Sequence, residues 1–162
     1  MMSWWSDRKL TSAVRKNNAA EVEKLILEGA DPNKINNGKT IFMWSVEKGH
    51  TDLARCLLGK GAHVDDEDRA GRTVLITAAE KGHTEIAQFL LEKGAKVNRL
   101  VDGKTALITA SAKGHTEIAQ SLLERAADMN VKDGDGWTAL RWATSKEHTE
   151  IAQSLRESGA EE

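Results

Sequence analysis

The sequence predicts an all-α solenoid built from stacked helix-turn-helix units that are joined by short, hairpin-like turns. Three observations predict it: a Gly-His-Thr step followed by an acidic residue, a glycine two residues before a threonine, and a closing Gly-Ala pair. All three recur along the chain with the same period of 32 or 33 residues. Because one helix pair of this size cannot bury its own apolar face, the units are expected to stack and share one core.

The three ladders agree in spacing. The first carries histidines spaced by 33, 32 and 33 residues, at His50, His83, His115 and His148. The second carries glycines with the same spacing, at Gly38, Gly71, Gly103 and Gly136, and each precedes one of the threonines Thr40, Thr73, Thr105 and Thr138 by two residues. The third ladder is Gly29-Ala30, Gly61-Ala62, Gly94-Ala95, Ala126-Ala127 and Gly159-Ala160. Two positions depart from the pattern: Ala126 and Glu147 stand where turn glycines are expected, and Ala126 should cost roughly 1 kcal/mol.

Each unit is predicted to hold two helices. Threonine is a good N-cap, so the first helix of the third unit should start after Thr73. The Lys-Gly-His step should end it, because its glycine can adopt positive φ. A second helix is then predicted from about Thr84 to Lys93, where Gly94 stops it. Its apolar residues recur at helical spacing, at Ile86, Phe89, Leu90 and Leu91.

These segments resemble the ankyrin repeat. The stretch from Thr73 to Ala79 is similar to the family's T-P-L-H-x-A-A signature, and residues 82–98 match its G-H-x-E-I-V-x-L-L-L-x-x-G-A-x-V-N half closely. The family's proline and histidine are absent from all four full signatures, and the turn at 99–103 is one residue shorter than that at 66–71. The resemblance implies an ankyrin-repeat solenoid forming a single domain over 1–162. Its repeats are a 6–33 N-terminal cap, 34–66, 67–98, 99–131 and a 132–160 C-terminal cap.

Composition narrows the function. The formal net charge is −2, from 23 basic and 25 acidic residues, which lacks the basic excess typical of nucleic-acid binding. No apolar run is long enough to cross a membrane, and the N-terminus lacks a secretory pattern. Cys56 is the sole cysteine, so no internal disulfide is expected and a cytoplasmic location is predicted. Polar outer faces on the first and last units suggest a complete array.

Catalytic, cofactor and metal chemistry are not predicted. The ladder histidines repeat once per unit, and stacked helices lie roughly 8–10 Å apart, so two imidazoles would not readily share one zinc ion. We expect each histidine to brace the turn between its two helices instead. Cys56 is expected to pack rather than react, and the acidic run 65–68 is expected to be a solvated loop. An enzyme or a metal protein remains a third hypothesis.

The resemblance implies that a partner protein binds on the concave side, at the turn tips and the first helices. Trp137 replaces the cation found at this tip position in other repeats, and tryptophan and arginine are enriched at binding hot spots. The acidic character also declines along the array, so the later repeats are expected to be more positive. The candidate partner-binding residues are Lys39, Met43, Trp44, Arg69, Arg72, Ile76, Lys104, Ile108, Trp137, Arg141 and Trp142.

Two alternatives stay open. The apolar residues Met43, Ile76 and Ile108 form a stripe that either faces a partner or packs between neighbouring repeats, and packing is favoured. The apolar and aromatic load of the first helices also fits a redesigned ankyrin scaffold that binds a chosen protein or pairs with itself. Irregular turns, Ala126 and Glu147 instead favour a natural parent. Trp4 and Trp5 are expected to precede the first helix, either covering the first unit or lying exposed.

Overall fold

The computed structural model describes the backbone of residues 3–161 and the side chains of residues 8–161. The described chain is helical apart from one small hairpin. Its elements are α1 (Ser3–Arg15), α2 (Ala19–Leu27), β1 (Ile35–Asn36), β2 (Lys39–Thr40), α3 (Ile41–Glu47), α4 (Thr51–Gly59), α5 (Val74–Lys81), α6 (Thr84–Glu92), α7 (Ala106–Lys113), α8 (Thr116–Glu124), α9 (Ala139–Ser145) and α10 (Thr149–Glu157). These residues form two compact units, 1–74 and 75–162, described separately below as unit 1 and unit 2.

Unit 1 contains two stacked helix pairs. Helix α1 packs on α2 and α3, helix α2 packs on α4, and α3 packs on α4. Its core includes the fully buried side chains of Leu10, Val22, Phe42, Leu53 and Leu57. The unit is therefore held by apolar side chains that recur on one face of every helix, as the periodicity predicts.

Unit 2 repeats the same arrangement, with α6 against α8, α7 against α8 and α9, and α10 against α8 and α9. The ladder histidines contribute to the stacking in a specific way. The His115 ring lies so close to Gly82 that a Cβ at that glycine would come within 2.5 Å of imidazole Cε1, and His148 meets Gly114 in the same manner. Each of these rings thus packs on the turn glycine of the preceding repeat.

The helix ends follow the predicted chemistry. The hydroxyl oxygens of Thr40, Thr105 and Thr138 accept from the backbone N–H three residues later, and α5 begins directly after Thr73. Ala126 has a φ of 58° and Glu147 a φ of 62°, so both hold the left-handed conformation predicted for them. These two side chains carry strain that a glycine would avoid.

The turn tips come in two kinds, which alternate along the repeats. The short tips are two-residue hairpin turns at Asn37-Gly38 and Asp102-Gly103, with positive φ at all four residues. The long tips contain one residue more, and an aspartate organises each of them. In these tips Asp68 and Asp133 each accept hydrogen bonds from two backbone N–H groups of their own turn.

The predicted helical fold of stacked helix pairs is observed in each unit. Helix α6 ends at Glu92, one residue before the predicted Lys93. One expectation is wrong: Trp4 and Trp5 belong to α1, which begins at Ser3, because the helical pattern continues into the N-terminal residues. Their side chains lie outside the described residues. None of the described helices is both long and apolar enough to cross a lipid bilayer.

Candidate protein-binding surface

The last two repeats of unit 2 bring together two aromatic rings and three cations, which we call the tryptophan cluster: Lys104, Trp137, Arg141, Trp142 and Lys146. The two indole rings pack at 4.8 Å between centroids, inclined at 50°. The Arg141 guanidinium lies 4.5 Å from the Trp137 ring centre. The ammonium groups of Lys104 and Lys146 lie 5.7 and 5.9 Å from that of Trp142. These distances are those of cation–π contacts, so rings and cations hold one another in place.

Asp133 anchors this cluster from below. One of its carboxylate oxygens accepts the backbone N–H groups of Asp135 and Trp137, at 3.0 and 2.9 Å. The other oxygen accepts the indole N–H of Trp142 at 2.7 Å. Burial by itself would raise the pKa of Asp133, but these three hydrogen bonds and the charge of Lys104 outweigh it, and the pKa falls below its ordinary value. The carboxylate is therefore ionised and fully engaged in fixing the two tryptophans.

An open pocket of about 330 Å³ lies beside the cluster. It is lined by Trp137, Leu140, Arg141, Thr144 and Ser145, all from α9 and the tip before it. Arg141, Thr144 and Ser145 are exposed, whereas Leu140 forms the buried apolar floor. The pocket thus combines an apolar surface with a cation at its edge.

Unit 1 has a comparable groove, which we call the Trp44 groove, of about 320 Å³. Helix α1, the first tip and α3 line it, through residues that include Val14, Arg15, Asn36, Lys39, Trp44 and Glu47. Trp44 is half-buried, with its ring 5.5 Å from that of His50 and 5.8 Å from the Lys48 ammonium group. Lys39 forms an ion pair with Glu47 at 2.8 Å. The groove therefore contains a cation that is already neutralised.

Three of the candidate residues do not reach the surface. Met43, Ile76 and Ile108 retain only 1%, 6% and 1% of their exposure. Side chains so deeply buried cannot form a stripe for a partner, and their burial agrees with the favoured alternative, packing between neighbouring repeats. We therefore exclude these three from the candidate surface. A helical wheel places them beside the core face, but it does not show that the neighbouring elements cover them.

The tip arginines behave differently from each other. Arg72 lies against Asp68, with Nε and a terminal nitrogen 3.2 and 3.1 Å from one carboxylate oxygen. The pKa of Asp68 is lowered, because its hydrogen bonds from Arg72 and Ala70 and the Arg72 charge outweigh the effect of burial. Arg69 is exposed, and its side chain lies where a Cβ at Gly38 would be. Arg72 thus stabilises its own turn, whereas the Arg69 side chain is exposed to solvent.

The acidic run 65–68 is not merely a solvated loop, which corrects the sequence-based expectation. Asp66 accepts the Thr40 hydroxyl at 2.7 Å, and Thr40 also caps α3. Burial raises the pKa of Asp66, although the Thr40 bond and the charge of His63 oppose the rise. Asp68 holds its own tip, as described above. The signal available in the sequence was the position of Asp68 and Asp133, each five residues before a capping threonine in the longer turns.

The structure also shows the surroundings of Cys56, the candidate nucleophile, and of the possible metal ligands. Cys56 is half-buried, with Sγ 4.0 Å from the carbonyl oxygen of Ala19. Burial and the charge of Glu23 raise the pKa of its thiol despite nearby Lys60, so the reactive thiolate is disfavoured. Among the side chains of residues 8–161, no three histidine, cysteine, aspartate or glutamate groups are arranged to hold a metal ion.

Repeating helix pairs with capped turns define a helical repeat protein. The family model for ankyrin repeats in three copies matches residues 10–101 and 97–162, and the chain belongs to the ankyrin-repeat family. A comparison with curated proteins gave no match. Ankyrin repeats are generally protein–protein interaction modules, and the family is typically non-catalytic.

Proposed function

We propose that this chain is a non-catalytic module that binds a partner protein through its turn tips and first helices. One observation supports this most directly: tryptophans and cations that sit on the tips and first helices remain partly exposed, although the apolar positions around them are buried. Trp44, Trp137 and Trp142 are each half-buried, and Lys104 and Arg141 are exposed. Half-buried aromatic rings with a fixed orientation provide contact area at little cost in conformational entropy.

The test compares two aromatic residues on different faces. The intact chain is used to select binders from a displayed peptide library, and the selected binders are measured against Trp137→Ala and Phe89→Ala variants. Phe89 is the matched control, because it is half-buried on the second helix α6 and has the Lys93 ammonium 5.6 Å from its ring. The proposal expects Trp137→Ala to weaken binding by about tenfold or more and Phe89→Ala to leave it unchanged. Greater sensitivity to Phe89→Ala would assign binding to the second-helix face and refute the proposal.

Pairing with a second copy is the alternative function, and it fits a redesigned scaffold as well as a natural protein. The exposed tip residues Ile35 and Leu100, at 64% and 52% exposure, favour it. The burial of Met43, Ile76 and Ile108 removes part of the apolar and aromatic load that motivated it, whereas Trp44, Trp137 and Trp142 remain partly exposed. Sedimentation at micromolar concentration tests this alternative: a single monomeric species would exclude it.

A further inference from the structure

The tryptophan cluster has cations without acidic partners. The cationic groups of Arg141 and Lys146 lie over indole rings, and neither forms an ion pair with a carboxylate among the residues that the structure describes. Asp135 and Glu147 are the nearest acids along the sequence, and both are exposed without an ion pair to these cations in the same described region. The cluster is therefore a local excess of positive charge on a chain whose net charge is −2.

The only buried carboxylate at the cluster, among the described residues, already holds its own tip and the Trp142 indole. Asp133 accepts three hydrogen bonds, and all three serve to orient Trp137, Trp142 and their tip. The charge of Lys104 also acts on Asp133, whereas the guanidinium of Arg141 and the ammonium of Lys146 lie over the rings of Trp137 and Trp142. These two cations are thus available to carboxylates of a bound partner, since no described carboxylate forms an ion pair with them.

The origin of this excess lies in the repeat itself. In unit 1 the cation at the tip, Lys39, is held by Glu47 near the end of the same repeat's first helix. The equivalent of Glu47 is Ala112 in the fourth repeat and Ser145 in the fifth. Without that acid, Lys104 lies over the Trp142 ring of the following repeat instead. The exchange of an acid for a small residue therefore leaves Lys104 without the ion pair that Lys39 forms, which adds to the positive charge of this surface.

From these observations we propose that the tryptophan cluster binds an acidic peptide segment of a partner protein, in which carboxylates flank an aliphatic side chain. The aliphatic group enters the pocket over Leu140 and against Trp137. The carboxylates pair with Arg141 and Lys146, and such charge-assisted contacts are stronger than neutral ones. This inference rests on the proposed protein-binding function, and it names the chemistry of the partner.

The direct test uses a short fluorescein-labelled peptide in which glutamates flank a central leucine, titrated with the whole chain and followed by fluorescence polarisation. We expect saturable binding that weakens with added salt, because exposed charge pairs are screened. The matching peptide with glutamine for glutamate should bind about tenfold more weakly, because it loses two exposed charge pairs that each contribute up to about 1 kcal/mol. Absence of saturable binding, or equal binding of the glutamine peptide, would overturn the inference.

Matched variants locate the effect. The Arg141→Gln, Lys146→Gln double variant should bind the glutamate peptide about tenfold more weakly. The control is Lys81→Gln with Lys113→Gln, which removes the same charge from exposed lysines at the equivalents of Lys146 in two other repeats. It should change affinity less than about twofold, since it leaves the cluster intact. Equal losses in both variants would show non-specific charge attraction and contradict the proposed site.

Two further arms separate other occupants. A labelled single-stranded oligothymidine that binds as tightly as the peptide, with the same variant sensitivity, would show a polyanion site and refute the peptide. Self-association lost in Arg141→Gln, Lys146→Gln would make a second copy the occupant. The proposed function fails separately: library binders sensitive to Trp137→Ala but indifferent to acidic charge would preserve protein binding and reject only the acidic peptide.

Discussion

Trp44 and Trp142 occupy the same position in two repeats, four residues after the capping threonine, but their surroundings differ. Trp142 is held by a hydrogen bond to Asp133 and by packing against Trp137. Trp44 instead lies against His50, and the residue equivalent to Asp133 in its repeat is the exposed Ile35. At the position of the tryptophans, the two central repeats have buried threonines, Thr77 and Thr109. A tryptophan at this position therefore acquires its properties from the tip that precedes it.

The comparison also separates shape from charge. Trp44 borders an open pocket of about 320 Å³, and a pocket of similar volume, about 330 Å³, lies beside Trp137, the ring that packs on Trp142. At Trp44 the neighbouring tip cation is neutralised by Glu47, whereas the cluster around Trp142 has no such acid at the equivalent position. Two sites with similar apolar shape are thus expected to select partners of different charge.

The largest expected effect comes from breaking the anchor that only Trp142 has. In Asp133→Asn, the amide oxygen can still accept the two backbone N–H groups, but the amide NH₂ group would face the indole N–H. Loss of this charge-assisted bond, with two donors facing each other, should lower the free energy of unfolding by about 1.5–3 kcal/mol. Urea denaturation at neutral pH measures it, and an unchanged stability would contradict the anchoring role.

The pH dependence of that loss has a definite sign. The folded-state pKa of Asp133 is lowered, so its contribution to stability is present above the unfolded-state pKa of about 3.9. The contribution is lost as pH falls from there through the lowered folded-state value. The difference in unfolding free energy between the native chain and Asp133→Asn should therefore be constant near neutrality and shrink in acid. A difference that grows in acid would rule out this carboxylate as the cause.

How far the sequence predicts these features depends on whether a feature is local or set by neighbours. The repeat period, the threonine caps and the positive φ of Ala126 were all predictable, because each follows from short-range chemistry that recurs at fixed spacing. The burial of Ile108 was not, since a helical wheel shows which side a residue faces but not what covers that side. The role of Asp133 was missed for a similar reason: the indole that it binds belongs to Trp142, nine residues later in the chain and on helix α9.

A smaller effect on stability is expected from residues other than glycine that have positive φ, because the two units differ in which residues these are. The positive-φ residues of unit 1 other than glycine are Asn17 and Asn37 among those described, and asparagine tolerates this conformation. Unit 2 places Ala126 there, so Ala126→Gly should stabilise the chain by about 1 kcal/mol. Thermal or urea unfolding measures the change. The control is Ala127→Gly at the buried neighbour without positive φ, which should destabilise by about 0.5–1 kcal/mol; stabilisation by both would refute the strain argument.

Single substitutions can reverse the charge difference between the two tryptophan sites, by removing the acid at one site or adding an acid at the other. Glu47→Ala should release Lys39 and increase the affinity of the Trp44 groove for the glutamate–leucine peptide, while Ala112→Glu should draw Lys104 away from Trp142 and weaken peptide binding there. Each change is worth less than about 1 kcal/mol, or a few-fold in affinity, because the ion pairs are partly exposed. Polarisation titrations measure both, and Glu47→Gln serves as a control that keeps the side-chain size. Affinities that move in the opposite directions would exclude charge as the distinguishing property.

The smallest effect on stability is expected at Asp66, a partly buried carboxylate of unit 1 that accepts a hydrogen bond from the Thr40 hydroxyl. Its pKa is raised chiefly by burial, so its ionised form is less favourable in the folded state than in the unfolded chain. Asp66→Asn retains an oxygen for the Thr40 hydroxyl, and the free energy of unfolding should change by less than about 0.5 kcal/mol at neutral pH. Any gain in the free energy of unfolding should disappear as pH falls from the raised folded-state pKa to below about 3.9, where the native carboxyl is protonated in both states.

Thr40→Val is the control: it removes both the bond to Asp66 and the α3 cap, and should cost about 1 kcal/mol or more. A comparable loss in Asp66→Asn would mean that the negative charge itself stabilises this turn, as it does at Asp133.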